Sequence, residues 1–476
     1  MTRIRFLTHD DIVAIHSASV EVLETTGVKI KNDEALELLK DAGCEIEFDN
    51  VKIPAALVEE CLRCCPASFE LYTREGNKSQ HVGDDNVIFN PGSSVTSFRD
   101  HNTQEMRKGT TNDLVDIVRL VDGLDHLKAQ STALIPSDIP EVLSDFYRLF
   151  LVLKNSPKPI VTGAFRKEGF QDMKKLLEIV TGGPAQLETK PRAIFDCCPS
   201  SPLIWSDTTC QNLIDCATSG IPAEIVPAPL MGATSPVTIT GTIIQTNAEI
   251  LSGIVIAQLA SPSAPIIYGG APGTFDQRYA TPRYGSVESI MAACAAAEVG
   301  KQYRLPTHAY LGLSDSKAID AQTGFESALG IAFGAMSRIN IISGPGALAY
   351  INMQSLEKLV IDNELCGAGY RLIGGLNVDG IEEIPDLIHK VGPGGDFLGQ
   401  RHTASNFRTE HFMPTDLIDR LPTDTWIESG SKNINERARK RVKSLLNKHT
   451  PKPMSKEIEN DLDQAFKELV AQYNLT

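Results

Sequence analysis

IVTGAF (residues 160–165) runs three β-forming residues straight into a glycine turn, and the chain repeats that pattern eight times. The other runs are VIFNPG from Val87, AQSTALIPS from Ala129, AIFDCCP from Ala193 and EIVPAPLMG from Glu224, then IIYGGAPG from Ile266, HAYLGLS from His308 and NIISGPG from Asn340. Short, nearly continuous apolar runs are what strands buried on both faces look like. Between them lie helix-period segments; in residues 111–122, Leu114, Ile117, Val118 and Val121 fall on one helical face. A helix after each strand is the right-handed crossover that a parallel sheet requires. Eight units over roughly 270 residues predict an α/β fold, a closed (β/α)8 TIM barrel. An open doubly wound sheet is the alternative, disfavoured because no GxGxxG follows the first run. In a barrel the active site lies where the strands end.

Working outward, residues 1–86 have a different texture. Thr8 and Asp11 suggest a capped helix, with Ile12, Ile15, Val22 and Leu23 along one face, and two further helical segments follow. This predicts an N-terminal helical extension (1–86), the barrel (87–390) and a C-terminal motif loop with helices packed on it (391–476). In the last part, Ile458, Leu462, Phe466, Leu469, Val470 and Tyr473 form a docking face behind a Pro-containing break.

The 476 residues carry a net charge of −15, which argues against nucleic-acid binding. The one basic run, NERARKRVKSLLNKH, reads as a solvated helix face. The N-terminus lacks a signal-peptide apolar region, and no stretch approaches 18 uninterrupted apolar residues. Ten cysteines without a secretory signal read as reduced thiols, so the expectation is cytoplasmic, with no membrane segment. Cys61, Cys64 and Cys65 have no second ligand pair at finger-like spacing, so no metal site is expected.

The turns after the strands are rich in Gly and Pro: NPGSS, CCPSSP, PAPLMGATSP, GGAPG and SGPG. They hold no Lys or Arg, so they serve an anionic phosphate poorly. No Ser-His-Asp order, HExxH, Walker loop or HxH pair is present. Asp138, Asp196, Asp315, Asp320 and Glu326 do not cluster by sequence as metal ligands, and His308 sits inside the seventh strand. The expected mouth is apolar, roomy and poor in acid–base groups, suited to a reaction without proton transfer.

Three stretches, TNAEILSGIVIAQLASPSAPIIYGG (246–270), SDSKAIDAQTGFESALG (314–330) and GPGGDFLGQRHTASNFRTEHFMP (392–414), resemble the trimethylamine methyltransferase family. The resemblance covers most of the chain. It implies transfer of a methyl group from a methylated amine to the Co(I) corrinoid of a separate partner protein. No cofactor is then bound tightly to this chain, which lacks the DxHxxG of corrinoid carriers. The family's founding members use pyrrolysine, absent from this chain, which resembles the non-pyrrolysine branch acting on quaternary amines. A quaternary ammonium already carries the charge that makes it a methyl donor, so displacement needs mainly positioning and desolvation.

Glycine betaine is the expected substrate and dimethylglycine the product, with proline betaine or carnitine as alternatives. Its ammonium wants aromatic faces. Phe165, Trp205, Tyr310 and Tyr350 are the leading candidates, beside Phe89, Tyr268 and Phe275. Its carboxylate wants donors, for which His308, Arg401, His402 and Arg408 are available. Asn247, Glu249, Gln322 and Glu326 lie in the family stretches and are expected to position substrate. The corrinoid is expected to approach through the loops of Gly269, Gly270, Gly344 and Gly346, and family likeness favours a homo-oligomer. Three other readings stay open: a zinc-dependent thiol methyltransferase drawing on Cys197, Cys198 and Cys294, a non-catalytic betaine-binding barrel, and a lyase.

Overall fold

A computed structural model describes residues 3–473. Strands β1 to β8 are Ile88–Asn90, Gln130–Ser131, Ile160–Thr162, Ala193–Cys197, Ala223–Ile225, Ile266–Tyr268, His308–Ala309 and Ile341–Ser343. Helices α1 to α8 follow them one for one: Thr111–Asp122, Ser144–Asn155, Gly169–Thr181, Asp207–Thr218, Ile239–Ala260, Val287–Gln302, Ala321–Met336 and Leu356–Gly374. All eight runs picked out by pattern therefore carry a strand.

Every ladder is parallel, from β2 through β6 and from β7 through β8 to β1. Two further contacts close the ring. Tyr268 and Thr307 bridge β6 to the start of β7, and the Lys128 amide donates to the Phe89 carbonyl at 2.9 Å, joining β1 to β2. The connections enter their helices through side-chain caps: Thr110, Ser206, Thr238, Ser286, Asp320 and Ser355 each hold the first turn. Such caps contribute about 1 kcal/mol each and set where the helix starts.

The barrel interior is layered. At the end where the strands begin, Ile88, Ala129, Val161, Ile194, Ile267 and Ile341 form an apolar floor. The hairpin Ser68–Tyr72/Lys78–Gly83 plugs that end, adding Leu71 and Val82 to the floor. Asn340 fastens the plug, donating to the carbonyls of Gly83 at 2.8 Å and Asn86 at 2.7 Å. A closed floor means the interior can open only at the strands' carboxyl ends.

Helices His9–Thr25 and Ala55–Cys64 pack on α5. The N-terminal region also contains an antiparallel patch, Val28–Ile30, Glu45–Glu47 and Asn50–Lys52, whose first strand pairs with Ile204–Trp205. Strands of three residues are too short for alternation to reveal them, so the sequence reads as helical there. Burial pushes the thiols of Cys61 and Cys65 up to about 12, which fits packing. Among the described residues, no group of three or more His, Cys, Asp or Glu is placed to hold a metal.

Among the described residues, the helix α5 is long and apolar enough to cross a membrane, but 78% of its most apolar window is buried inside the protein, as in a core helix. The few polar residues that interrupt its apolar run hid it from a count of uninterrupted residues. At the other end, helix Ile434–Lys448 carries the basic run and packs Ala438 and Val442 against α8 and α1. Helix Lys456–Gln472 lies on α3, with Phe466 stacked on Phe150 at 4.2 Å.

Candidate active site

Above the apolar floor the inward positions turn polar. Along β4, Ile194 belongs to the floor and Asp196 and Cys198 follow on the same face, because strand side chains alternate with period two. These two line a cavity of about 400 Å3 together with Ser93, Ser94, Phe165 and Tyr310. One wall is the start of α4, where Ser206, Thr208, Thr209 and Asn212 face the space.

The deep end of the cavity is an acid cluster. The Tyr310 hydroxyl donates to Asp196 Oδ2 at 3.1 Å. Asp196 and Glu224 are register partners on β4 and β5, and their carboxyl groups meet. Neither Glu224 oxygen nor Asp196 Oδ1 receives a hydrogen from any other donor; Glu224 is buried and Asp196 partly so. Two touching carboxyls with no cation bonded to either do not readily ionise together. Burial, and then the Asp196 charge, hold Glu224 well above the carboxylate range, and burial also raises Asp196. The pair therefore resists ionising twice and holds at least one shared proton.

His308 lies beside this pair, with Nε2 3.7 Å from Glu224 Oε1 and its ring edge-on to Tyr310 at 5.0 Å. Burial pushes its imidazole down to about 3, so it is neutral, and neither ring nitrogen has a partner. Gly269 faces it; a Cβ there would stand 3.2 Å from His308 Nδ1 and 2.7 Å from the Ile225 carbonyl.

Arg148 closes the opposite side. Its guanidinium is fully buried and donates to the Thr132 carbonyl at 3.1 Å, Ser94 Oγ at 3.2 Å, the Gly163 carbonyl at 3.3 Å and Asp145 at 3.4 Å. It stacks 4.8 Å from the Phe165 ring centroid, and Phe165 remains half exposed. Because its donors are spent on the barrel, Arg148 is a framework cation.

A second depression, about 320 Å3, lies at the rim between the loops after β6, β7 and β8. Glu326 Oε2 accepts from Ser314 Oγ at 2.6 Å and from the Asp315 amide at 2.8 Å, and Gln322 donates to Glu326 Oε1 at 2.9 Å. Burial, and then Glu326, push Asp315 up to about 6. The Lys317 ammonium sits 3.9 Å from the Tyr350 ring centroid. Ala349, Tyr350 and Ile351 all have φ between 50° and 63°, a left-handed run that costs roughly 1–2 kcal/mol per residue.

The structure thus distributes the expected site residues. Tyr310 and Phe165 line the cavity with His308 packed edge-on against Tyr310, while Gln322, Glu326 and Tyr350 gather at the rim. Others lie elsewhere. Trp205 is buried outside the ring, with its indole N–H donating to Ser252 at 2.9 Å. Asn247 is bonded to Tyr268 and Tyr303, and Glu249 holds Ser201 and the Leu203 amide, all on the outer side of the strands. Phe89 is buried under Tyr370.

Arg401 and His402 stand exposed on helix Arg401–Glu410, which hangs from Arg371 near the end of α8, at the opposite end of the barrel. Gly269, Gly270, Gly344 and Gly346 are buried turns rather than an approach surface; a Cβ on Gly344 would meet the Leu311 carbonyl at 2.2 Å. The expectation of a mouth poor in acid–base groups is also corrected. Asp196, Glu224, His308 and Tyr310 fall on inward positions of AIFDC, AEI and HAY, a period-two signal present in the sequence. Arg148 gave no such signal, because it reaches inward from α2.

Comparison with known proteins gives a consistent picture. The protein-family model for trimethylamine methyltransferase (MTTB) matches residues 1–471. Trimethylamine methyltransferase MttB of Desulfitobacterium hafniense (strain DSM 10664 / DCB-2) is 31% identical over 98% of this chain and 94% of its own. A glycine betaine methyltransferase of Desulfitobacterium hafniense (strain Y51) is 30% identical over 98% and 97%. The solved monomethylamine methyltransferase of Methanosarcina barkeri superposes with a TM-score of 0.49 at 14% identity, over 91% of this chain and 93% of that one.

Proposed function

Because the chain belongs to the trimethylamine methyltransferase family and is a methyltransferase, we propose that it demethylates a small quaternary ammonium, glycine betaine first, leaving dimethylglycine. The acceptor is the corrinoid of a separate protein, which supplies the Co(I) nucleophile. A cavity of about 400 Å3 holds a betaine but not a corrin ring, which supports an acceptor presented from outside.

One observation carries this reading: the Asp196 carboxyl, paired with Glu224 and able to hold a negative charge, lines a cavity beside the Tyr310 and Phe165 rings. A cation at contact distance from that charge gains about 4 kcal/mol at an effective dielectric near 20. Each aromatic face adds on the order of 0.5–2 kcal/mol. The charge therefore sets the preference and the rings refine it. A neutral amine forgoes both contributions, whereas a protonated tertiary amine keeps them, so the site favours cationic amines as a class. The C–N bond breaks with its electron pair left on nitrogen, so the departing amine is neutral and no proton moves. The proton of the acid pair and the neutral His308 accordingly stay in place through the reaction. At the α4 wall, the hydroxyls of Thr208 and Thr209 and the free amides of the helix start suit the substrate carboxylate.

The test is spectroscopic. The protein is mixed with a reduced corrinoid protein and glycine betaine, and the loss of Co(I) absorption is followed with dimethylglycine formation. Conversion with glycine betaine but not trimethylamine is expected. Conversion only with proline betaine or carnitine corrects the substrate, and none with any quaternary amine, given a competent acceptor, overturns the reading.

A further inference from the structure

Residues 375–416 contain one helical turn and two helices and not one buried residue. Leu376 is 87% exposed, Leu398 86% and Ile388 55%. In helix Ile384–Val391, Ile384, Leu387, Ile388 and Val391 fall at i, i+3, i+4 and i+7, a single apolar stripe of the kind that packs against another helix. A segment this long holds its helices only if something covers that stripe, since short isolated helices are marginal in water.

We propose that this segment is an interface between copies of the chain, built around a two-fold contact of helix Ile384–Val391. Two features select a second copy over the corrinoid carrier. The first is position. Arg371, near the end of α8, donates to the Glu410 carbonyl at 3.0 Å, and the Phe412 ring lies 6.1 Å from His126, just before β2. The segment therefore sits at the end where the strands begin, and a partner that must reach the cavity docks at the other end. The second is charge. Glu382, Glu383 and Asp386 stand at the start of the helix and His389 and Lys390 at its end. Antiparallel pairing about a two-fold axis sets the acids of one copy against the bases of the other, as an isologous contact requires. The inference does not depend on the reaction proposed above.

The experiment is sedimentation equilibrium of the full chain at micromolar concentration. Wild type is expected at a multiple of 51.7 kDa. Ile388→Glu combined with Leu398→Glu should fall to the single-chain mass with unchanged circular dichroism. Glu383→Lys should weaken assembly, and adding Lys390→Glu should restore it, a rescue that misfolding cannot imitate. Wild type at the single-chain mass, an apolar variant that keeps the wild-type mass, or a charge swap without rescue would each overturn the proposal. Assembly seen only after a corrinoid protein is added would overturn it too, giving the face to that partner.

Discussion

Asp196 and Glu224 stand opposite each other on adjacent parallel strands, and their carboxyls meet at the closed end of the cavity with Tyr310 bonded to one of them. The negative charge this pair can hold is the anion that a quaternary ammonium would meet. Asp196→Asn keeps the volume and an acceptor for Tyr310 but removes the carboxyl that lines the cavity. KM for glycine betaine should rise roughly a hundredfold, equivalent to about 3 kcal/mol, with kcat changed much less. A KM within twofold of wild type would remove Asp196 from the ammonium site.

Glu224 makes a different demand. Its carboxyl is raised in the folded chain, so folding takes up a proton that the unfolded chain releases near pH 4.3. Stability then falls as pH rises from the unfolded value toward the folded one. Glu224→Gln should abolish that loss: the melting temperatures of the two proteins coincide near pH 4 and diverge by pH 7, with the variant higher. Parallel curves would mean that Glu224 ionises in the folded chain.

Phe165 and Trp205 separate packing from binding. Phe165 borders the cavity half exposed, so Phe165→Ala should raise KM about tenfold, the worth of one aromatic face. Trp205 is 1% exposed outside the ring of strands, and Trp205→Phe loses the bond to Ser252 and the part of the buried indole that packs at Gly253. That variant should lose about 1–3 kcal/mol of stability in urea unfolding and keep its KM. The reverse pattern would place the indole at the substrate.

Arg148 is a buried cation held by five neighbours. Arg148→Met leaves Asp145 buried beside no countercharge, and should cost about 3–5 kcal/mol. Adding Asp145→Asn should recover part of that loss, which denaturant unfolding would measure. A single variant as stable as wild type would show that the pair is dispensable to the frame.

The barrel was legible because most strands lie in short, nearly continuous apolar runs, each followed by a helical segment, as IVTGAF and residues 111–122 illustrate. The site was half legible. Tyr310, Phe165 and His308 stand at strand ends, where barrel geometry says to look. Asp196 and Glu224 escaped as a pair because they are 28 positions apart, and only β4–β5 register brings them together. Trp205 misled because a polar loop after a strand resembles a mouth, whereas Ile204–Trp205 turns outward to pair with Val28–Ile30. Arg401 and His402 misled because motif position carries no information about which end of the barrel a helix reaches.

Gly269 and Gly270 are adjacent at the end of β6 and differ in what a methyl group would meet. On Gly269 it would stand 2.7 Å from the Ile225 carbonyl and 3.2 Å from His308 Nδ1, neither of which yields easily. On Gly270 its nearest neighbour is 3.5 Å away, an ordinary contact. Gly269→Ala should therefore lose about 1–3 kcal/mol and tilt His308 toward Tyr310, raising KM as well as lowering the melting temperature. Gly270→Ala should fold and bind like wild type. Were the corrinoid to press on these glycines, Gly270→Ala would instead slow methyl transfer while leaving amine binding intact. Calorimetric binding of glycine betaine, run beside single-turnover loss of Co(I), distinguishes the two: a normal binding constant with slowed transfer would return Gly270 to the acceptor surface.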